Sequence, residues 1–214
     1  MIFYMGFCFF SMLGIGVYPI FGSGWSSNSK YSLLGGIRSI AQTISYEVVF
    51  SLIIFCYIIF VNSYDFYFYY YFHFIFFMYF PVFFCWLICL LSELNRTPFD
   101  FAEGERELVS GFNIEYGGYG FAIIFISEYG FIIFLSLISS FLYFGLGILS
   151  LFYGFIFMFF ILLVRGRYPR YRYDKLIYLA WKGILPVILN YLIYCLGVFI
   201  FIIYLFYLNG VLAY

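Results

Sequence analysis

Charged residues make up only 9% of this 214-residue chain, and 66% of it is hydrophobic, yet the charges are not scattered. Seven fall between Glu93 and Glu107: the acids Glu93, Asp100, Glu103, Glu105 and Glu107, and the bases Arg96 and Arg106. Three more acids, Glu47, Glu115 and Glu128, stand inside or at the edge of long apolar runs. A carboxyl group kept among apolar neighbours is costly, so one that persists there needs a reason. Carboxyl groups suit a proton relay, because a small change in nearby charge or wetting moves a crowded acid across neutrality. Glu47, Glu93, Glu115 and Glu128 form the candidate relay, with Asp100, Glu103, Glu105 and Glu107 extending it as a wet path out of the loop. The bland alternative pairs each acid with an arginine and leaves it only the task of locking helices together. Residue types alone leave the two even.

Inside the acidic loop, Thr97-Pro98-Phe99-Asp100 has the composition of a helix start. Thr97 would be the N-cap, Pro98 the first helical residue, and Asp100 an acid in the first turn. A helix from there puts Asp100, Glu103 and Glu107 on one face, crowded enough that some hold a proton near neutral pH. Arg106, three residues from Glu103, would relieve part of that strain.

A second polar stretch, Arg165 to Lys182, interleaves six cations with Tyr168, Tyr171 and Tyr173. It reads either as an anchor at the lipid headgroups or as a docking surface. Arg170 and Arg172 are its best site candidates, with Arg38 as a third cation facing the acids. His73, the one histidine, has no carboxylate beside it and is given no role. Cys8, Cys56, Cys85, Cys89 and Cys195 all lie in apolar runs. Cys85 and Cys89 share a helix face, but no His or acid joins them, so they read as small core residues rather than a metal pair or disulfide.

The elements that must hold these groups are membrane spans. With 29% aromatic residues on top of its hydrophobicity, the chain has too much apolar surface for a soluble domain. A net charge of zero gives no sign of a nucleic-acid partner. A span takes about 20 apolar residues, and the chain divides into spans near 2–21, 41–61, 70–91, 120–143, 148–164 and 184–208. The run from Gly120 to Val164 is too long for one span, and Phe144-Gly145-Leu146-Gly147 is the expected turn between two. Loops 22–40, 92–119 and 165–183 then share one face, and every Lys and Arg falls on it. A single span over 120–164 would scatter the cations over both faces. The expected architecture is therefore all-α, an integral membrane protein of six transmembrane helices and no soluble domain. Pro81, inside the third span, is expected to kink it or free a carbonyl. Phe (34) and Tyr (25) are used where Leu or Val would serve, as a strongly AT-rich organelle coding sequence would produce. The first residues read straight into a span, without a cleavable targeting peptide.

The loop also carries a resemblance. Residues 93–116 read E-x-N-R-T-P-F-D-x-A-E-G-E-x-E-L-V-S-G-F-N-x-E-Y, which closely resembles the H-type membrane subunit (subunit 1) of proton-pumping NADH:ubiquinone oxidoreductase, respiratory complex I. Two further stretches agree in the family's order: Gly24 to Ser29 with Arg38 and Ile44-Ser45-Tyr46-Glu47, and Arg167-Tyr168-Pro169-Arg170-Tyr171-Arg172-Tyr173-Asp174. The resemblance covers about Gly24 to Pro186. It implies a core membrane subunit that forms part of the ubiquinone tunnel, in a mitochondrial inner membrane with the basic loops in the matrix. It also implies that the matching glutamates form an acidic channel leading from the quinone cavity. The matching arginines would line the junction with the peripheral arm, whose quinone-site subunits and the neighbouring membrane subunits would be partners. Ubiquinone would be a substrate. No flavin, dinucleotide or Fe–S fingerprint is present, so NADH, FMN and Fe–S chemistry would sit in partner subunits.

Departures are visible as well. Arg106 stands where the family has a non-basic residue, and Gly117-Gly118-Tyr119-Gly120 leaves the start of the fourth span open. The chain begins at what resembles the family's third span, so a separate polypeptide supplying the earlier helices is expected. Two other readings are a membrane subunit of a related energy-converting hydrogenase and a stand-alone proton or cation transporter. The near-complete N-R-T-P-F-D loop disfavours the first, and the lack of repeated halves disfavours the second.

Overall fold

A computed structural model of the chain describes residues 5–61, 80–100, 116–145 and 147–208. All regular structure among them is helical: α1 (Met5–Ile15), α2 (Val17–Ser26), α3 (Lys30–Val61), α4 (Phe80–Glu93), α5 (Gly118–Phe144), α6 (Ile148–Arg167) and α7 (Tyr173–Tyr178). A π-helical segment (Leu179–Ile184) then leads into α8 (Leu185–Leu208). Among the described residues, four helical stretches are long and apolar enough to cross a membrane: Lys30–Ile59, Gly118–Phe144, Leu149–Arg167 and Tyr173–Leu205. The chain is thus an all-α protein of membrane-spanning character.

Proline placement explains where the helices break. Pro19 cannot donate to the carbonyl of Ile15 and its ring crowds that carbonyl. Accordingly α1 ends at Ile15, and the expected first span at 2–21 is not one helix but α1 and α2 meeting at Gly16. The Gly16 N–H is shared between Leu13 O (2.9 Å) and Met12 O (3.3 Å). Pro186 likewise leaves Lys182 without its usual donor, and Lys182 lies inside the π-helical segment that widens the turn there. Pro81 is the second described residue of α4.

Two expected loops are mostly helix. Ser29 Oγ accepts the Ser32 N–H at 3.3 Å, a side-chain cap that starts α3 at Lys30. Residues 30–40 are therefore the first turns of α3, not a connection. After the exposed stretch from Tyr168 to Arg172, residues 173–183 form α7 and the π segment, continuous with α8. The turn near Gly145 is as short as its residues suggest. Gly145 takes φ 76°, which suits a residue without a side chain, and its N–H closes on Phe141 O at 3.1 Å. Gly147 N–H then donates to Ser150 Oγ at 3.2 Å and starts α6.

α3 is the central helix. Tyr46, Val49, Phe50, Ile53, Ile54 and Tyr57 are fully buried, whereas the flank of α8 carrying Ile193, Tyr194, Ile200 and Phe201 is exposed. Phe50 stacks on Trp86 of α4 at 4.2 Å, and Tyr57 meets Tyr143 of α5 edge-on at 5.5 Å. Cys56, Cys85, Cys89 and Cys195 are buried in this core. α5 and α6 pair as a hairpin whose close approach depends on Gly154. A Cβ there would lie 2.9 Å from Leu137 Cδ2 and 3.3 Å from Ser140 Oγ. Gly154→Val is therefore expected to destabilise the hairpin by about 1–3 kcal/mol. The check is the thermal-unfolding midpoint of the detergent-solubilised protein, and an unchanged midpoint would refute the close-packing account.

Candidate functional site

Three of the four relay candidates meet on one cavity. A space of about 340 Å³ lies between the α1–α2 break, α3, the end of α4 and α5, and its lining includes Glu47, Glu93 and Glu128. Met12, Leu13, Val17, Ile20, Ile124 and Phe131 make the apolar walls, and Thr43, Ser23, Asn95 and Ser127 add polar edges. An apolar cavity with a few convergent polar groups is the general form of a small-molecule site. Glu115, the fourth candidate, and the loop residues Glu103, Glu105 and Glu107 lie outside the described residues.

The acids on the cavity differ in their partners. Glu128 pairs with Arg96, the two side chains being 23% and 8% exposed. Glu93 is buried and Glu47 half-buried, and among the described residues neither has an arginine or lysine within ion-pair distance. They lie within electrostatic reach of each other. The locking alternative thus describes Glu128, while Glu47 and Glu93 face the cavity with no ion-pair partner among the described residues.

Arg96 is held by one face of α5. Phe125, Glu128 and Tyr129 stand at i, i+3 and i+4, so their side chains form a single patch. The guanidinium lies 5.2 Å from the Phe125 ring centre and 5.7 Å from that of Tyr129 while its charge meets Glu128. That spacing was readable in the sequence as an aromatic–acid–aromatic face, and it is the signal that could have singled out Phe125 and Tyr129.

The expected helix start at Thr97 is a turn through Asp100, and each group that would have built the helix is engaged elsewhere. Thr97 Oγ1 donates to Arg165 O at 3.0 Å instead of capping. Phe99 N–H closes a turn on Arg96 O at 2.8 Å, and Phe99 O accepts Gln42 Nε2 at 3.0 Å. The same Gln42 amide donates to Ser92 O at 2.9 Å, so this buried side chain of α3 joins the end of α4 to the turn. Sequence reading missed Gln42, because a single amide in an apolar span carries no local motif.

The two polar loops are laced together. Besides Thr97 to Arg165, Tyr171 N–H donates to Pro98 O at 3.0 Å. Arg170 Nη2 meets Asp100 Oδ2 at 3.0 Å, with Asp100 buried, and the Phe99 and Tyr171 rings are 5.6 Å apart. Arg172 is exposed and precedes α7. Arg38 is half-buried on α3, within electrostatic reach of Tyr173. Two more bonds dock the helix after the second loop on α3: Tyr46 OH to Leu176 O at 3.1 Å and Trp181 Nε1 to Ser45 Oγ at 3.3 Å. Tyr116, at the end of the acidic stretch, hydrogen-bonds Ser26 of α2 at 2.6 Å. Among the described residues no cluster of His, Cys, Asp and Glu could hold a metal ion.

Comparison with known proteins shows the family. A sequence profile described as NADH dehydrogenase matches residues 4–196. The chain is 49% identical over 208 residues to NADH-ubiquinone oxidoreductase chain 1 of Aedes aegypti, and 50% identical over 214 residues to that of Anopheles gambiae. It is 52% identical over 208 residues to the same-named protein of Anopheles quadrimaculatus. Each match covers 94% of this chain and 66% of the relative, so the chain spans about two thirds of the length of the curated relatives it matches.

Proposed function

Given that the chain belongs to the NADH dehydrogenase family, we propose that it is a core membrane subunit of a respiratory NADH:ubiquinone oxidoreductase, forming part of the quinone tunnel and coupling quinone reduction to proton movement. The observation that carries this reading is the cavity on which Glu47, Glu93 and Glu128 converge within apolar walls. An isoprenoid quinone is an apolar molecule with a polar head, and such a cavity offers both kinds of surface. Reduction of the head by electrons from partner subunits draws protons and changes the charge at the site. Glu47 and Glu93, which face the cavity with no cation beside them among the described residues, are the groups best placed to answer such a change. Glu115 continues the relay in this reading, and Glu103, Glu105 and Glu107 extend it with Asp100.

The laced loops give that change a route to the surface. The turn carrying Arg96 and Asp100 is bonded to Arg165, Arg170 and Tyr171, so a shift beside the cavity moves an exposed basic and aromatic segment. We assign that segment, with Arg170, Arg172 and Arg38, to the junction with the soluble arm that supplies NADH, FMN and Fe–S chemistry. The membrane is then the mitochondrial inner membrane, with six spans and the basic loops on the matrix side.

Purification in mild detergent from the native membrane tests the assignment. This chain is expected to migrate with NADH:ubiquinone reductase activity as part of a large complex. Its separation from that activity, as a small free particle, would sink the reading.

A further inference from the structure

Two arginines from different elements share one tyrosine. The Arg96 guanidinium lies 5.7 Å from the Tyr129 ring centre and that of Arg165 lies 5.5 Å from it. Arg165 Nη1 also donates to the Tyr129 hydroxyl at 3.0 Å. From Arg165 the contacts run back through its carbonyl, which accepts Thr97 Oγ1 at 3.0 Å, and Thr97 adjoins Arg96 in the chain. The contacts therefore close a circuit through α5, the end of α6 and the turn after α4. Tyr129 is 44% exposed, so burial of its ring does not explain its place. What its ring does supply is a negative face near two cations that would otherwise repel each other, and its hydroxyl oxygen supplies an acceptor for one of them.

We propose that Tyr129 is a positioning residue: it holds Arg96 on Glu128 and ties that pair to Arg165, fixing the loop after α6 to the wall of the acidic cavity. The proposal rests on the functional reading given above. Without the ring, the two guanidiniums lose their shared acceptor face and Arg96 is held less firmly on Glu128. With the ring but without the hydroxyl, the bond to Arg165 is lost while the ring faces on both guanidiniums remain.

The test uses the assembled complex with Tyr129→Leu and Tyr129→Phe. Tyr129→Leu should lower quinone-reduction turnover by about tenfold, the effect of losing two ring–cation contacts, while Tyr129→Phe keeps most of the rate. In a Glu128→Gln background, Tyr129→Leu should cost little more, since the ion pair it supports is already gone. A density map of the Tyr129→Leu complex should show Arg96 displaced from Glu128. Equal losses for Phe and Leu, additivity with Glu128→Gln, or Arg96 unmoved in the map would each overturn the proposal. The functional reading fails separately, if Glu128→Gln alone leaves turnover unchanged, and the map still decides the role of Tyr129.

Discussion

Arg96→Met is expected to lower the amount of assembled protein more than any other single substitution of a charged residue described above. Arg96 and Glu128 are 8% and 23% exposed, and removing one member of such a pair leaves the other uncompensated in a poorly solvated site. Breaking a buried pair from one side typically costs about 3–5 kcal/mol. The substitution also removes the ring contacts of Arg96 with Phe125 and Tyr129 that help seat the turn after α4 on α5. Replacing both partners by apolar residues leaves no orphan charge, so Arg96→Met with Glu128→Leu should regain assembly while quinone reduction stays low. Native electrophoresis measures the first quantity and steady-state turnover the second. A double variant no more abundant than Arg96→Met alone would show that the ion pair is not what the fold depends on.

The largest functional effect is expected at Glu47 and Glu93. Glutamine keeps the shape of each side chain and removes its titration. Positioned acid–base groups contribute on the order of a hundredfold or more, so Glu47→Gln and Glu93→Gln should each lower proton-coupled turnover by about that factor. Assembly and NADH oxidation by an artificial acceptor should change little. Both groups face one cavity, so the double variant should be about as impaired as the worse single one. Normal proton pumping by either variant would leave these acids a packing role only.

What was legible beforehand follows from the range of each physical rule. The all-α, membrane-spanning character and the turn near Gly145 depend on hydropathy and on residues a few positions apart, and both can be read along a line. The acids stood out because charge is expensive in an apolar run. That Glu47, Glu93 and Glu128 share a cavity is a matter of packing among elements separated by dozens of residues, which no local spacing encodes. Thr97 and Pro98 show the opposite failure. Their local chemistry favours a helix start, yet Gln42 and Arg165, each more than fifty residues away, engage the turn instead. Residues 30–40 and 173–183 were read as loops because they are polar, but polarity at a membrane surface does not forbid a helix from continuing past it. Phe125, Glu128 and Tyr129 do mark an aromatic–acid–aromatic face at i, i+3 and i+4, but that this face receives Arg96 is a matter of packing and not of spacing.

The lacing between the two polar loops also bears on what would happen if the backbone were severed. A cut at the turn near Gly145 would leave two pieces, one ending with α5 and the other starting with α6. Gly154 seats the second piece against Leu137 and Ser140 of the first. At the opposite end of the hairpin, Thr97, Pro98 and Asp100 of the first piece hold Arg165, Tyr171 and Arg170 of the second. Peptide continuity across that turn is therefore not what keeps the halves in register. A gene interrupted there would encode two polypeptides able to find each other in the membrane and rebuild the same cavity wall.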